Sequence, residues 1–209
     1  EAIRDNALSV AGILSPALSG PPVYPPQPEG IWWIRDAKSP VYKTSVGKDR
    51  YRRSLYTIWR RSYLHPTLAN FDAPDRITCA AERDRTNTPL QALTLLNDPI
   101  YLEAAFGLAR RLSGEPSLAT TEQRITRGFR LTTARKPTKG ERDLLIGLFR
   151  SRLDRFKADP KSAYKLIESA RGELAASISP INPTAAAELA AWLQVANVLL
   201  NLDETITKG

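Results

Sequence analysis

The sequence predicts an all-α fold: an irregular multi-helix bundle with an extended, proline-rich and aromatic N-terminal arm packed on it. Three observations point there. From Thr88 onward, apolar residues recur at three- and four-residue spacing almost to the C-terminus. No alternation long enough to build a sheet accompanies them. Seven of the sixteen prolines crowd between Pro16 and Pro40, where φ is fixed and backbone donors are lost.

The elements follow in order. Residues 2–14 form the first predicted helix, with Ile3, Ala7, Val10 and Leu14 in phase. The arm comes next, and Tyr24, Trp32, Trp33 and Tyr42 give it rings that pin it to the helical body. Stacking of those rings on a sugar is the weaker alternative. "RYRRSLYTIWRRSYL" predicts a second helix, with Tyr51, Leu55, Ile58, Trp59 and Ser62/Tyr63 on one face, broken at His65-Pro66. Residues 1–49 are thus assigned to helix and arm, and 50–209 to the helical body, the two forming one folding unit.

"TPLQ" supplies a cap, a first-position proline and a third-position glutamine, so Thr88 and Gln91 open a helix over 89–96. Asn97 ends it, and Asp98 with Pro99 opens the next, which is apolar at Tyr101, Ala105, Leu108 and Leu112. A helix over 120–131 follows. "TKGE" repeats the capping box with Thr138 and Glu141, ahead of Leu145, Leu148, Phe149 and Phe156. Asp159-Pro160 precedes a stripe of Ala163, Ile167, Ala170, Leu174 and Ile178. Asn182-Pro183 precedes Leu189, Trp192, Leu193, Ala196, Leu199 and Ile206. Asp72, with Asp75, is a further candidate cap.

Composition narrows function. The 209 residues are 42% hydrophobic and 25% charged, an ordinary globular balance. No apolar run reaches the ~18 residues of a membrane span. The chain opens without Met, as though inside a helix, and reads as a piece of a longer precursor. Cys79 is the single cysteine and His65 the single histidine. The paired-cysteine-and-histidine run that attaches a c-type haem is absent, and a His/Cys zinc site lacks ligands. A Ser-His-Asp triad would have His65 alone as base. Cys79, beside two alanines, is expected to be a small buried hydrophobe. His65, before Pro66, is expected in a loop, with an external haem ligand as the lesser reading.

The formal charge of +8 is unevenly spread. Residues 50–65 carry five arginines and no acid, and residues 124–142 carry seven bases and one acid. Such concentration can draw an anionic partner, but charge runs more often mark solvated faces and paired arginines. The candidate anion or partner site gathers Arg76, Arg83, Arg85 and Asn87, with Arg53 and Arg60 from the first basic run. The competing and preferred reading of "ERDRTN" is framework: arginines bonded to Asp72, Asp75, Glu82 or Asp84, clamping the loop.

"YRRSLYTIWRR", "FDAPDR", "RTNTPLQALTLLNDP", "RKPTKGE" and "VANVLLNLDE" together resemble the planctomycete-specific domain of unknown function that closes large secreted proteins carrying a c-type cytochrome domain. The likeness covers nearly the whole chain. It implies a periplasmic or extracellular setting, upstream domains of the same precursor as partners, and haem c in one of those domains rather than here. It carries over no catalytic residue.

The sequence therefore favours a non-catalytic helical docking or scaffold module, with no cofactor, metal or catalytic residue of its own. One alternative is a module binding carbohydrate or an acidic or sulfated polysaccharide through the basic segments. Nucleic acid is not expected, since no recognised binding motif appears. Another is an enzyme acting on sugars with a carboxylate pair drawn from Asp72, Asp75, Glu82 and Asp84.

Overall fold

The computed structural model describes residues 1–32, 41–60, 63–74, 79, 82, 86–177 and 182–207, with the backbone alone at 175–177. Among these residues the helices are α1 (Ala2–Ala11), α2 (Pro66–Asn70), α3 (Pro89–Asn97), α4 (Pro99–Gly114), α5 (Thr121–Thr133), α6 (Lys139–Ala158), α7 (Pro160–Arg171), α8 (Pro183–Leu200) and α9 (Asp203–Ile206). The described residues hold isolated β-bridges and no strand. The fold is all-α.

Most of the long helices begin on a side-chain acceptor, which satisfies backbone donors that a helix cannot pair internally. Thr88 Oγ1 accepts from Gln91 N at 3.3 Å, and Gln91 Oε1 accepts from Thr88 N at 3.2 Å. Asp98 caps α4 through Ile100 N at 2.9 Å. Thr138 and Glu141 form the same reciprocal box at α6. Asp159 and Asn182 cap α7 and α8, each followed by proline. A further box, Thr120 with Gln123, opens α5 and was readable in "TTEQ". Thr88→Ala should cost about 1 kcal/mol, more if Gln91 also loses its bond; an unchanged thermal midpoint would show that the box contributes nothing.

α8 runs through the centre and packs on α4, α6 and α7. Trp192, Phe106, Phe129, Leu112 and Leu199 are fully buried there. Gly128 lets α5 come close: a Cβ at that position would lie 2.9 Å from Leu112 Cδ1 and from Leu199 Cδ1.

The arm joins the body by backbone pairing as well as by rings. Ser15 N donates to Tyr51 O (2.9 Å), Val23 N to Tyr56 O (2.8 Å) and Ile58 N to Val23 O (2.8 Å). Trp32 meets the rings of Tyr42 and Tyr63 edge-on, each at 5.0 Å, and Tyr42 meets Tyr24 at 5.3 Å. The phenol of Tyr42 donates to Pro25 O, and that of Tyr63 to Gln27 Oε1.

This pairing overturns the helix expected across residues 50–63. Described residues there form short 3-10 turns at Gly47–Tyr51 and Ser54–Tyr56, with extended backbone between and after. Leu55, expected on the buried face, is 62% exposed. The arm takes the carbonyls of Tyr51 and Tyr56, and Arg4 takes those of Arg50 and Arg52. A helix would need the same groups. Three other predicted helices are shorter than expected. α1, expected over residues 2–14, stops at Ala11, where Gly12 turns left-handed (φ 75°). α7 stops at Arg171, because Gly172 turns at φ +46°, and the last stripe breaks between α8 and α9.

Asp72 does not open a helix: Ala73 and Pro74 are non-helical. It holds a left-handed backbone (φ 56°), and its carboxylate accepts from Thr86 N at 2.8 Å and from Thr86 Oγ1. It ties the turn after α2 to the approach to α3. Cys79 is exposed rather than buried: two neighbouring alanines in sequence do not decide whether the fold covers the thiol.

Candidate functional site

Charged side chains converge where α1, α4 and the 47–54 segment meet. The register of α1 turns Arg4 inward, although its neighbours in sequence are polar. Arg4 Nη1 donates to Arg52 O (2.8 Å) and Ser54 Oγ (3.3 Å), and Nη2 donates to Arg50 O (2.9 Å). Asp5 Oδ1 accepts from Ser54 N and Ser54 Oγ, each at 2.7 Å. Arg50 then grips Glu103 on α4 in a two-point pair: Nε to Oε2 at 2.9 Å and Nη2 to Oε1 at 2.5 Å. Glu103 is 2% exposed. Gly172 gives the carboxylate room, since a Cβ there would collide with Glu103 Oε1.

The electrostatics fit an internal lock. Burial pulls the Arg50 pKa down, but the bond and charge of Glu103 outweigh it, and the net shift is upward. Burial lowers Arg4, with Asp5 opposing. Asp98 is raised by burial, despite bonds from Thr67 Oγ1 (2.6 Å) and Ile100 N. Burial also raises the phenols of Tyr51 and Tyr101. Burial drives the shifts of Arg4, Asp98, Tyr51 and Tyr101 and is overcome only at Arg50, where Glu103 answers the charge across the interface. Such clusters mark frameworks as well as active sites.

His65 anchors the arm. It is buried, and Nε2 lies 3.1 Å from Pro26 O. A carbonyl can only accept, so Nε2 carries the proton. Burial lowers the His65 pKa from 6.5 to about 4; the Pro26 bond opposes this and Arg4 adds to it. The unfolded chain therefore takes up the proton first. Above pH 6.5 His65 has no effect on stability, and between 6.5 and 4 it should remove about 3 kcal/mol as pH falls. Asp98, with its raised pKa, works in the opposite sense as it protonates. His65→Gln keeps a donor for Pro26 and cannot titrate. Its denaturation curves should lack the His65 loss; an unaltered slope from pH 6.5 to 4 would place the loss elsewhere.

The residues singled out in the sequence scatter. Arg76, Arg83 and Arg85, with Asp75 and Asp84, lie outside the described residues, so the arginine clamp falls there too. Glu82 is exposed. Asn87 is exposed and reaches Asp203 Oδ1 at 3.5 Å. Arg53 is exposed on the 3-10 segment. Arg60 lies 4.3 Å over the Trp32 ring. Around Thr88 the polar groups form a chain: Gln91 Nε2 donates to Asn70 O (2.8 Å) and to Thr86 Oγ1 (2.9 Å), and Thr86 holds Asp72. Thus the turn at residues 70–72 and "TNTPLQ" are stitched together through buried Gln91.

Both basic runs are largely paired. Arg52 donates to Pro21 O at 3.1 Å and to Ser19 O, and lies 3.9 Å over Tyr56. Arg124 meets Glu188, Arg127 meets Glu115, and Arg142 meets Glu122. Arg135 joins Glu141 and Glu204, each at 2.6 Å. A cavity of ≈ 380 Å³ lies beside Trp32, Tyr42, Gln27 and Glu29. Trp32 is only 9% exposed, so its ring offers a sugar little open face.

One surface is unlike the rest. On α3, Leu90, Leu93 and Leu96 are 55%, 56% and 45% exposed, while Gln91 and Leu95 face inward. Scattered exposed leucines are ordinary, but three on one fixed helix form a patch. Sequence reading missed it, because periodicity shows that leucines share a helix and not which of them a neighbour covers.

Residues 1–149 match the family PSD1, protein of unknown function (DUF1553). Comparison with curated proteins and with solved structures finds no match.

Proposed function

Given that this chain belongs to the PSD1 family of unknown function, we propose that it is a non-catalytic docking module, seated by α3 against an upstream domain of the same secreted polypeptide. The α3 leucine patch carries this reading. The helix is fixed at its start by the Thr88–Gln91 box, and the Asp98 cap of α4 follows it directly, so the leucines are presented on a rigid element. The patch also lies within the part of the chain that matches the family.

The resemblance noted in the sequence supplies the setting: an extracytoplasmic protein whose upstream part includes a c-type cytochrome domain. The internal pairing of Arg4, Arg50, Arg52 and Glu103 supports a framework role for those charges. A polysaccharide-binding role draws less support, since much of the basic surface is spent on glutamates, carbonyls and rings. A carboxylate enzyme draws less still, with Asp72 already bonded to Thr86.

The test is titration of this chain with the separately expressed upstream segment. Saturable binding is expected, weakened about tenfold or more in a Leu90→Ser, Leu93→Ser variant. Full affinity in that variant, or self-association in place of binding, would refute the docking reading. Both leucines are exposed, so the variant should fold.

A further inference from the structure

A second surface, distant in sequence from α3 and beyond residues 1–149, points to a ligand. α6, α7 and α8 border an open pocket of ≈ 340 Å³. Its floor is Phe156 and Leu166, and Arg152, Arg155 and Lys165 line it with them. Arg152 and Arg155 stand three apart on α6, and Lys165 and Leu166 occupy adjoining positions on α7. The volume sits near the lower end of the about 300–1,000 Å³ typical of small-molecule sites.

Part of the positive charge on the helical body is answered by acids and part is not. Arg124, Arg127, Arg135, Arg142 and Arg171 each meet a glutamate. Among the described residues Arg152, Arg155 and Lys165 meet no carboxylate. Arg152 Nε is buried without a hydrogen-bond partner, as are the Nε atoms of Arg4, Arg52, Arg127 and Arg142, but among the described residues only at Arg152 does this coincide with a pocket lined by further unpaired cations. An unpaired guanidinium donor is stabilised where an acceptor reaches it. Three cations around an apolar floor repel one another and are stabilised by an anion.

We propose that this pocket binds a small amphiphilic anion: a carboxylate or sulfonate joined to a compact apolar body. The anionic group sits among Arg152, Arg155 and Lys165, and guanidinium forks suit its paired oxygens. The apolar part lies over Phe156 and Leu166. Inorganic anions lack the body, and neutral alcohols lack the charge, so each should bind poorly. The proposal stands apart from docking at α3 and survives or fails independently of it.

Octanoate, octan-1-ol and acetate are the probes, titrated by calorimetry at fixed salt into the whole chain. Octanoate should bind saturably at one site, about tenfold or more tighter than either of the others. Arg152→Gln and Lys165→Gln should each weaken octanoate about tenfold while leaving the circular dichroism and thermal midpoint intact. Leu166→Gln, at a half-buried position, should weaken it as well. Absence of saturable binding, equal binding of octan-1-ol, or wild-type affinity in the folded arginine and lysine variants would overturn the proposal. Should Arg152→Gln fail to fold, Lys165→Gln at an exposed position decides alone.

Discussion

Glu103→Gln is expected to destabilise the protein by about 3–5 kcal/mol, among the largest effects of any single side chain. The substitution keeps the shape and removes the charge. Arg50 then remains partly buried with its guanidinium facing an amide that can accept at one oxygen only. The loss measures the cost of an unanswered charge, not the net worth of the pair, because two buried ions give back in desolvation much of what they gain in attraction. Replacing both partners at once, as Arg50→Met with Glu103→Leu, should therefore recover a good part of the loss. Urea denaturation of the two single variants and the double variant completes a thermodynamic cycle. Additive losses would mean that Arg50 and Glu103 do not act on each other, and the lock between the 3-10 segment and α4 would be wrong.

Trp192→Ala should cost about 3–5 kcal/mol as well, by lost burial and by the cavity left at the crossing of α8 with α4 and α6. Its ring is 0% exposed and stacks at 4.4 Å on Phe149. Trp192→Phe separates two contributions. The indole Nε1 is buried without a partner, so removing it relieves one unsatisfied donor while the smaller ring leaves a gap. The phenylalanine variant should lose clearly less than the alanine variant. If both lose equally, the indole nitrogen is bonded after all.

What could be read from the sequence was what local chemistry decides. Thr88, Asp98, Thr138, Asp159 and Asn182 each cap a helix, because a cap needs only its own next three residues. The stripes of α4 and α8 were legible because burial of one face imposes a period on the chain. Residues 50–63 misled for the complementary reason. Their apolar spacing suits a helix, but Arg4 and the arm, 30 to 50 positions away, take the carbonyls that a helix would use. Glu103 left a fainter trace, a lone carboxylate inside "YLEAAFGLA". Nothing local announced that Arg50 would answer it or that Gly172 would make room. The pocket residues Arg152, Lys165 and Gln194 come from three helices, and no spacing rule connects them.

The central claim is that α3 meets another domain of the same polypeptide through its leucine patch. Hydrogen exchange of the α3 amides, compared between this chain alone and the intact polypeptide, tests it most directly. Docking predicts that amides of Leu93 to Asn97 exchange more slowly in the intact protein, while those of α8, already enclosed by α4, α6 and α7, do not change. Identical exchange at α3 in the two forms would contradict the claim.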